Sequence, residues 1–217
     1  MSQYQLVLDA STKTLLVGLH NDDQFTDEEV ISGRMQHAEN IIPTIENLLN
    51  RNSITTKSLD VMYICTGPGS YTGIRLAVMT AKMFAYTLSI ELREISTLGL
   101  MASCVRPKNG YVIPLIDARR EHVYSGLYHW GDDRLELVHD DRYLHISQVK
   151  TWASEYDAQI ICMHNELESI DDVKNVQLTS KHLNFLKYQV IDNVYSLEPK
   201  YIRQPEAVRN WQQNQLK

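Results

Sequence analysis

The sequence lacks several features that mark common classes of protein. It has only three cysteines among 217 residues, and Cys65, Cys104 and Cys162 show no C-x-x-C spacing. A scattered, odd-numbered set is typical of reduced thiols in a cytoplasmic protein and predicts neither disulfides nor a zinc site. The sequence has no apolar run near the roughly 20 residues that cross a bilayer, and residues 1–4 lack the basic and apolar regions of a signal peptide. We therefore expect a cytoplasmic protein that does not enter a membrane.

Basic residues are in deficit as well. There are 21 Lys and Arg residues against 27 Asp and Glu residues, which gives a net charge of −6 and an isoelectric point of about 5.7. A nucleic-acid-binding domain usually carries a clustered excess of positive charge. If this protein serves RNA chemistry, we therefore expect another subunit to hold the RNA.

Histidine pairs with metal-binding spacing are absent too. The eight histidines form no H-x-x-x-H or H-E-x-x-H pair, so the sequence predicts no metal site. His37 stands at the start of a predicted helix, where a polar structural role is favoured over a catalytic one. The histidines of the later, strand-rich part of the chain are interpreted as surface or strand residues.

What the sequence does contain is a glycine-rich loop at residues 65–75, with the letters CTGPGSYTGIR. An apolar run from Val61 to Cys65 predicts a buried strand before it, and apolar residues at three- and four-residue steps as far as Leu88 predict a helix after it. No Lys follows the last glycine, so the loop is not a Walker A motif, and its G-x-G-x-x-x-G spacing misses the dinucleotide fingerprint. Two interpretations stay open: the glycines let strand and helix pack closely, or the loop binds an anion.

A pattern of strand, Asp, turn and strand occurs twice, about a hundred residues apart. It is present in residues 4–19 around Asp9 and in residues 111–128 around Asp117. This repetition predicts a duplicated, two-lobe α/β architecture. The Pro- and Gly-containing break at residues 106–110 divides the chain into an N-terminal lobe, 1–106, which carries the glycine loop, and a C-terminal lobe, 107–217. A last helix over about 205–214, begun by Pro205, could pack back on the N-terminal lobe.

Periodicity and cap residues predict the other elements. We expect helices at residues 37–50, 97–105, 147–156 and 181–190, with Ser96 and Ser147 as N-caps of the second and third. We expect strands within residues 20–34 and at 92–95, 135–138, 143–146 and 159–163. The helix after the glycine loop has Ala77, Ala81 and Ala85 at four-residue spacing. That spacing indicates close packing, either inside the core or against a partner.

Six segments together carry a family likeness: residues 6–12 (LVLDAST), 36–43 (QHAENIIP), 67–75 (GPGSYTGIR), 95–98 (ISTL), 116–119 (IDAR) and 199–203 (PKYIR). In this order they resemble the TsaB (YeaZ) family, the dimerisation subunit of the bacterial tRNA threonylcarbamoyladenosine machinery. The likeness is dense over residues 4–130 and patchy over 130–198. It implies an α/β, two-lobe actin-like ATPase fold, a duplicated ribonuclease H-like unit, with a degenerate nucleotide site.

The resemblance implies a non-catalytic subunit. Such proteins pair with a larger catalytic paralogue, TsaD, which transfers a threonylcarbamoyl group to N6 of the tRNA adenosine beside the anticodon. An ATPase, TsaE, joins the complex, the isolated protein often pairs with itself, and tRNA is expected to be contacted only indirectly. The helices that match residues 37–50 and 74–88 form the contact, which gives an expected interface of His37, Ile41, Ile45, Leu48, Tyr71, Arg75, Ala77, Val78 and Ala81. Ala77→Glu is then expected to abolish pairing without unfolding the chain.

The predicted nucleotide cleft lacks the residues that close approach to phosphate requires. ATP-binding members of this fold need small residues directly after the strand Asp. Here Asp9 is followed by Ala-Ser-Thr, and Asp117 is followed by Ala and two arginines. We expect weak or no nucleotide binding by the chain alone, no cofactor and no catalytic residue. If an anion binds, the candidate residues are Asp9, Ser11, Thr12, Gly67, Gly69, Ser70 and Arg119.

Two enzymatic alternatives stay open. One is a catalytically active ATP-binding enzyme of the actin-like superfamily. The other, less favoured, is a glycoprotease-like peptidase, for which no histidine base is placed near Cys65 or Ser70. In the catalytic paralogue two metal-binding histidines match Thr97 and Met101 of this sequence, and neither side chain suits a hard catalytic metal.

Overall fold

The structure, a computed structural model, describes residues 3–33, 37–164, 167, 170 and 172–203. Within those residues the strands are Tyr4–Asp9 (β1), Thr14–Asn21 (β2), Gln24–Ser32 (β3), Leu59–Cys65 (β4), Glu91–Ile95 (β5), Tyr111–Asp117 (β6), His122–Trp130 (β7), Leu135–His145 (β8), Gln159–Cys162 (β9), Lys174–Asn175 (β10) and Gln189–Val190 (β11). The α-helices are His37–Arg51 (α1), Tyr71–Leu88 (α2), Thr97–Ser103 (α3) and Ile146–Tyr156 (α4).

The strands form two sheets that share one topology. The first sheet has the order β11-β5-β4-β1-β2-β3 and the second has the order β10-β9-β6-β7-β8. Each begins with an antiparallel meander, β1–β3 or β6–β8, followed by a helix and then by a strand that pairs in parallel with the first strand of the meander. One more parallel strand extends each sheet: β5 pairs with β4 in the first sheet, and β10 pairs with β9 in the second. This repeated order confirms the predicted duplication and the two-lobe actin-like fold.

Three apolar clusters hold the layers together. The first, which includes Leu8 and Ala77, lies between one face of the first sheet and the helices α1 and α2. The second, which includes Val7 and Leu98, places α3 between the two sheets. The third packs the outer face of the second sheet on α4 through Val149. Since β1 and β4 are covered on both faces, most of their residues are apolar and buried, as in the interior strands of parallel sheets.

The strand β8 and the start of α4 differ from the sequence prediction. Residues 135–145 form one continuous strand where two short strands are expected. The polar residues between them fit because β8 is the edge strand of its sheet and solvent satisfies one side of it. Helix α4 begins at Ile146 and its N-cap is His145, not Ser147, because His145 Nδ1 accepts a hydrogen bond from the Ser147 backbone N–H at 3.2 Å.

The predicted helix at residues 181–190 is wrong. The structure has a single 3₁₀ turn at Leu183–Phe185, and Gln189–Val190 forms β11, which pairs antiparallel with β5. Two residues of the predicted C-terminal lobe, 107–217, therefore extend the first sheet. Helix α3 ends at Ser103, two residues before its predicted end. The helix predicted over about 205–214 lies outside the described residues.

One carboxylate ties the first sheet to the C-terminal half of the chain. Glu28 of β3 accepts hydrogen bonds from Thr179 Oγ1 at 2.7 Å, from the Ser180 backbone N–H at 2.8 Å and from Ser180 Oγ at 3.0 Å. Gly18 of the neighbouring strand makes room, because a Cβ there would overlap the Ser180 hydroxyl. A charged acceptor with three donors is a stronger tie than an ordinary neutral hydrogen bond.

We predict that Glu28→Gln lowers the free energy of unfolding by about 1–3 kcal/mol. The glutamine NH₂ group is itself a donor, so it cannot accept the hydrogen bonds that Thr179 and Ser180 donate to Glu28. The matched control is Glu29→Gln, whose carboxylate contacts Arg51 Nη1 at 2.9 Å on the surface and whose loss costs at most about 1 kcal/mol. Urea denaturation measures both losses from the shift of the midpoint, provided that the slope of the unfolding free energy against urea concentration is unchanged. Equal losses for the two variants would show that Glu28 is not a tie of this kind.

Candidate functional site

The glycine loop packs its backbone directly on the turn between β1 and β2. The Ser70 backbone N–H donates to the Ser11 carbonyl at 2.6 Å. A Cβ at Gly69 would overlap that same carbonyl oxygen, and a Cβ at Gly73 would overlap the carbonyl oxygen of Ala10. The glycines are therefore required for close contact within the chain. Of the two interpretations of the loop, this geometry fits close packing.

Asp9 is fully buried beneath this contact, at the end of β1. Its Oδ1 accepts hydrogen bonds from the Ser11 hydroxyl and, at 2.9 Å, from the Ser11 backbone N–H. The Thr97 hydroxyl lies 2.8 Å from Ser11 Oγ and extends the chain of hydrogen bonds to α3. Among the described residues, Asp9 Oδ2 has no hydrogen-bond partner. Burial raises the pKa of Asp9 to about 6, although the bonds from Ser11 and the charge of His37 act in the opposite direction.

These contacts leave no space for a phosphate group between the turn and the loop. Ser11 is fully buried, Gly67 is buried, and the Gly67 carbonyl accepts from the Thr97 backbone N–H at 3.0 Å. The Thr12 carbonyl is bonded by His37 Nε2 at 2.7 Å, which gives His37 a structural role at the start of α1. The residues of this turn therefore do not fit the phosphate of a nucleotide.

Arg119 lies apart from the other candidate anion-binding residues. Its backbone N–H donates to Asp117 Oδ1 at 2.8 Å, and its side chain is exposed at the turn between β6 and β7. Arg119, Arg120 and Glu121 have φ of 66°, 54° and 59°, so three consecutive residues adopt the left-handed conformation that disfavours L side chains. Among the described residues, no hydrogen bond or ion pair joins the Arg119 side chain to Asp9, Ser11 or the glycine loop.

The described part of the chain contains no group of three His, Cys, Asp or Glu side chains able to hold a metal ion. Thr97 and Met101, where the resemblance predicts a match to two histidines of a paralogue, are both completely buried. Cys65 is buried and burial raises the pKa of its thiol, so it is not an activated nucleophile. Ser70 caps α2 by accepting from the Gly73 backbone N–H at 3.4 Å. These surroundings do not resemble the site of a peptidase.

Most of the expected interface residues face the core. Seven side chains on α1 and α2 are less than 9% exposed: His37, Ile41, Ile45, Leu48, Ala77, Val78 and Ala81. The six apolar ones belong to the cluster under the first sheet, so they cannot contact a partner directly. The small residues Ala77, Ala81 and Ala85 pack inside the chain, which is the other of the two interpretations. Ala77 is fully buried, so the charge in Ala77→Glu would enter the core and this variant is a poor test of pairing in a folded chain.

The exposed face of α2 carries a different set of apolar side chains. Met79, Met83 and Tyr86 are 68%, 50% and 73% exposed and follow one another at helical spacing. Tyr195 extends them, with its ring 6.4 Å from that of Tyr86. Ile42 of α1 is exposed as well. We call Met79, Met83, Tyr86 and Tyr195 the methionine–tyrosine face; contiguous exposed apolar groups of this kind mark interaction sites.

Tyr71 and Arg75 lie on the same helix, nearer its start, and both are exposed. The Tyr71 ring stacks on Tyr201 at 4.6 Å, and the Arg75 guanidinium lies 4.0 Å from the Tyr71 ring centre and donates to the Tyr201 hydroxyl at 2.8 Å. This cluster gives the face an ordered polar end. The sequence of α2 already indicates the methionine–tyrosine face. The helix is apolar on nearly all sides, so a second side, besides the one packed on the sheet, is suited to contact another apolar surface.

Comparison with known proteins decides the family. The family model described as "TsaD: tRNA N6-adenosine threonylcarbamoyltransferase" matches residues 31–211. The tRNA threonylcarbamoyladenosine biosynthesis protein TsaB of Bacillus subtilis is 29% identical over 97% of this chain and 98% of its own length. The chain belongs to the TsaB (YeaZ) family. It thus falls within the wider TsaD family that the model describes.

Two further TsaB (YeaZ) proteins agree with this assignment. Escherichia coli TsaB is 28% identical over 61% of each chain. The solved structure of YeaZ from Pseudomonas aeruginosa superimposes with a TM-score of 0.73 over 92% of this chain and 99% of that one, at 21% identity, which shows the same fold.

We predict that Gly73→Ala destabilises the protein by about 1–3 kcal/mol, because the added methyl group would overlap the Ala10 carbonyl. The sign of the stability change is informative, since replacing Gly by Ala within a helix ordinarily stabilises a protein by up to about 1 kcal/mol. The matched control is Gly99→Ala in α3, where the nearest atoms are 3.5 Å away and no loss is expected. Thermal unfolding measures both variants. A stabilised Gly73→Ala protein would contradict the close contact.

We predict a pH dependence specific to Asp9. Because its folded pKa of about 6 lies above its ordinary 3.8, its contribution to stability is fully present below the ordinary value and is lost as the pH rises through 6. The Asp9→Asn variant has no carboxyl group at this position and therefore does not lose stability in this way. The stability of the variant relative to the natural protein should rise by about 2 kcal/mol between about pH 4.5 and 7.5.

Urea denaturation at the two pH values measures this difference, and subtraction cancels other titrating groups such as His20, whose pKa burial lowers to about 4. Asp117→Asn, at the corresponding turn of the second sheet, controls for the loss of one negative charge. A pH-independent difference for Asp9→Asn would contradict the expected titration.

Proposed function

We propose that this chain is a non-catalytic partner subunit in the biosynthesis of threonylcarbamoyladenosine on tRNA. It pairs with the catalytic paralogue TsaD and holds it in the active state for transfer of the threonylcarbamoyl group to N6 of the adenosine beside the anticodon. The TsaB names of the relatives support the pathway. The exposed methionine–tyrosine face supports the pairing, and it is the observation that carries the proposal.

The geometry of that face suits a protein partner. Methionine and tyrosine side chains supply a large contact area and are enriched at protein interfaces. Three of its four side chains lie on α2, whose opposite side is packed in the core through Ala77 and Ala81. Rigid backing of this kind lowers the entropy lost on association. The same face would let two copies of the chain pair when TsaD is absent.

The filled turn at Asp9 supports the absence of catalysis by this subunit. A nucleotide-hydrolysing relative needs a turn open to phosphate, whereas here the glycine loop occupies that position. In the proposed complex TsaE supplies ATPase activity, and tRNA reaches this subunit only through its partner. No helix of the described residues has the length and apolar character needed to cross a membrane. We propose a cytoplasmic place of action because that is where tRNA is modified.

We predict that Met83→Glu abolishes pairing with TsaD without unfolding the chain. Met83 is half-exposed at the centre of the face, so a carboxylate there is tolerated in the free subunit but would be buried in the complex. The loss should exceed about tenfold in Kd, measured by titration calorimetry. Val30→Glu, an exposed apolar residue on β3, is the control and should pair normally. Unchanged affinity of a folded Met83→Glu protein would overturn the interface.

Reconstitution tests the function itself. The tRNA modification is measured with TsaD, TsaE and the threonylcarbamoyl adenylate, with this chain present, omitted, or replaced by Met83→Glu. Dependence on the chain, lost in the variant, supports the proposal. If the chain is dispensable, or hydrolyses ATP alone in a way that Asp9→Asn removes, the alternative of an active ATP-binding enzyme takes its place.

A further inference from the structure

A cavity of about 750 Å³ lies between the two sheets, and its lining includes no residue of the methionine–tyrosine face and none of residues 9–12 at the turn after β1. Its floor is formed by the carboxyl ends of β4 and β5 and the start of α3, and its walls by β8 and by the segment that ends in β11. In open α/β sheets, ligands bind at the carboxyl ends of the strands. The volume is in the range of small-molecule sites.

Two carboxylates in this cavity are held in similar ways. Glu94 is buried, and its Oε1 accepts from the Thr66 hydroxyl and from Lys200 Nζ at 2.6 Å. Glu94 therefore has one hydroxyl donor and one alkylammonium partner. The buried carboxylate of Glu94 thus has an alkylammonium group as its counter-ion within this cavity.

Asp141 has the hydroxyl donors but not the cation. Its Oδ2 accepts from Ser96 Oγ at 2.5 Å and its Oδ1 accepts from the Tyr128 hydroxyl at 2.6 Å. Among the residues that the structure describes, no cation makes an ion pair with it, and Lys200 acts on it only at longer range. Burial is the main cause that raises the pKa of Asp141. An oriented carboxylate without a cation in a cavity is a recognition group for one.

The rest of the lining is mainly apolar. It includes Ile95, Leu135, Leu137, Leu186, Tyr188 and Ile202. Two of these apolar residues, Leu137 and Tyr188, are 51% and 43% exposed. The other charged residues of the lining are of both signs: Glu136, Arg134 and Lys187. Apolar walls around an oriented carboxylate without a cationic partner select an amine that carries an apolar body.

We propose that this cavity binds a small organic amine, whose ammonium group pairs with Asp141 and whose apolar body lies against Leu135, Leu137 and Tyr188. Asp141 accepts from the ammonium with the lone pairs that Ser96 and Tyr128 leave free. The site is independent of the proposed pairing function, since it shares no residue with the methionine–tyrosine face. The alternative is that Ser96, Tyr128 and Asp141 only tie α3 to the second sheet.

The test compares phenethylammonium with the neutral 2-phenylethanol on the natural protein. Methyl NMR follows each titration, since Ile95, Leu135 and Leu137 report on the cavity. A ligand of this size is expected to bind with a Kd of about 1 mM. We expect the alcohol to bind about tenfold more weakly, because it cannot supply a charge to Asp141. Equal binding of the two probes, or no binding of the amine at about 10 mM, would overturn the proposal.

Variants then locate the site. Asp141→Asn keeps a hydrogen-bonding group but removes the charge, and should weaken the amine about tenfold while leaving the alcohol unchanged. Asp140→Asn, on the exposed neighbour, controls for net charge. Leu137→Ser should weaken both probes alike. If Asp141→Asn binds the amine as the natural protein does, the cluster is a structural tie only; if that variant does not fold, the two-probe comparison decides alone. Shifts confined to the methionine–tyrosine face would also overturn the assignment.

Discussion

The contact between the glycine loop and the turn after β1 is the constraint on which much of this structure depends. Two peptide carbonyls, those of Ala10 and Ser11, touch the backbone of Gly73 and Gly69 with no side chain between them. This contact fixes where α2 begins and how close it lies to the first sheet. It also encloses Asp9, whose carboxylate is held by Ser11 instead of facing a cleft. The closed turn and the position of α2 thus have one physical cause.

The placement of α2 then decides which of its sides is available. A helix held this close to a sheet needs small side chains beneath it, and Ala77, Ala81 and Ala85 supply them. The bulky thioethers and the tyrosine are left on the outer side. Helix α2 has two apolar sides and can bury only one of them within its own chain. Because the side with the small residues packs on the sheet, the side with the methionines and Tyr86 is left exposed and resembles an interface.

Much of the fold is predictable from the sequence because the strands and long helices carry strong periodic patterns. The apolar runs of β1, β4 and β6 and the amphipathic pattern of α1 leave little ambiguity. The failures have physical reasons. Polar residues within β8 hide a continuous strand, because an edge strand does not need an apolar pattern. The two residues of β11 are too few to give a periodic signal, and their pairing with β5 is a long-range contact.

The candidate sites are less predictable than the fold. Spacing alone identifies the helix that carries an interface but not its exposed side, because Ala77 fits both core and contact. The pairing of Ser96 with Asp141 joins residues far apart in sequence, and no local pattern announces it. Burial by a distant part of the chain, as at Asp9, is likewise a tertiary effect that local propensity does not contain.

The return of β11 to the first sheet also has a consequence for motion. Many two-lobe proteins open and close by rotation about a hinge, in which a few connecting residues absorb the change. Here the chain crosses back between the lobes, and both the strand pairing of β11 with β5 and the grip of Glu28 on Ser180 join the two parts. A rotation that opens the lobes would have to break a β-ladder and a charged hydrogen-bond cluster together. Both contacts therefore oppose a change in the angle between the two sheets.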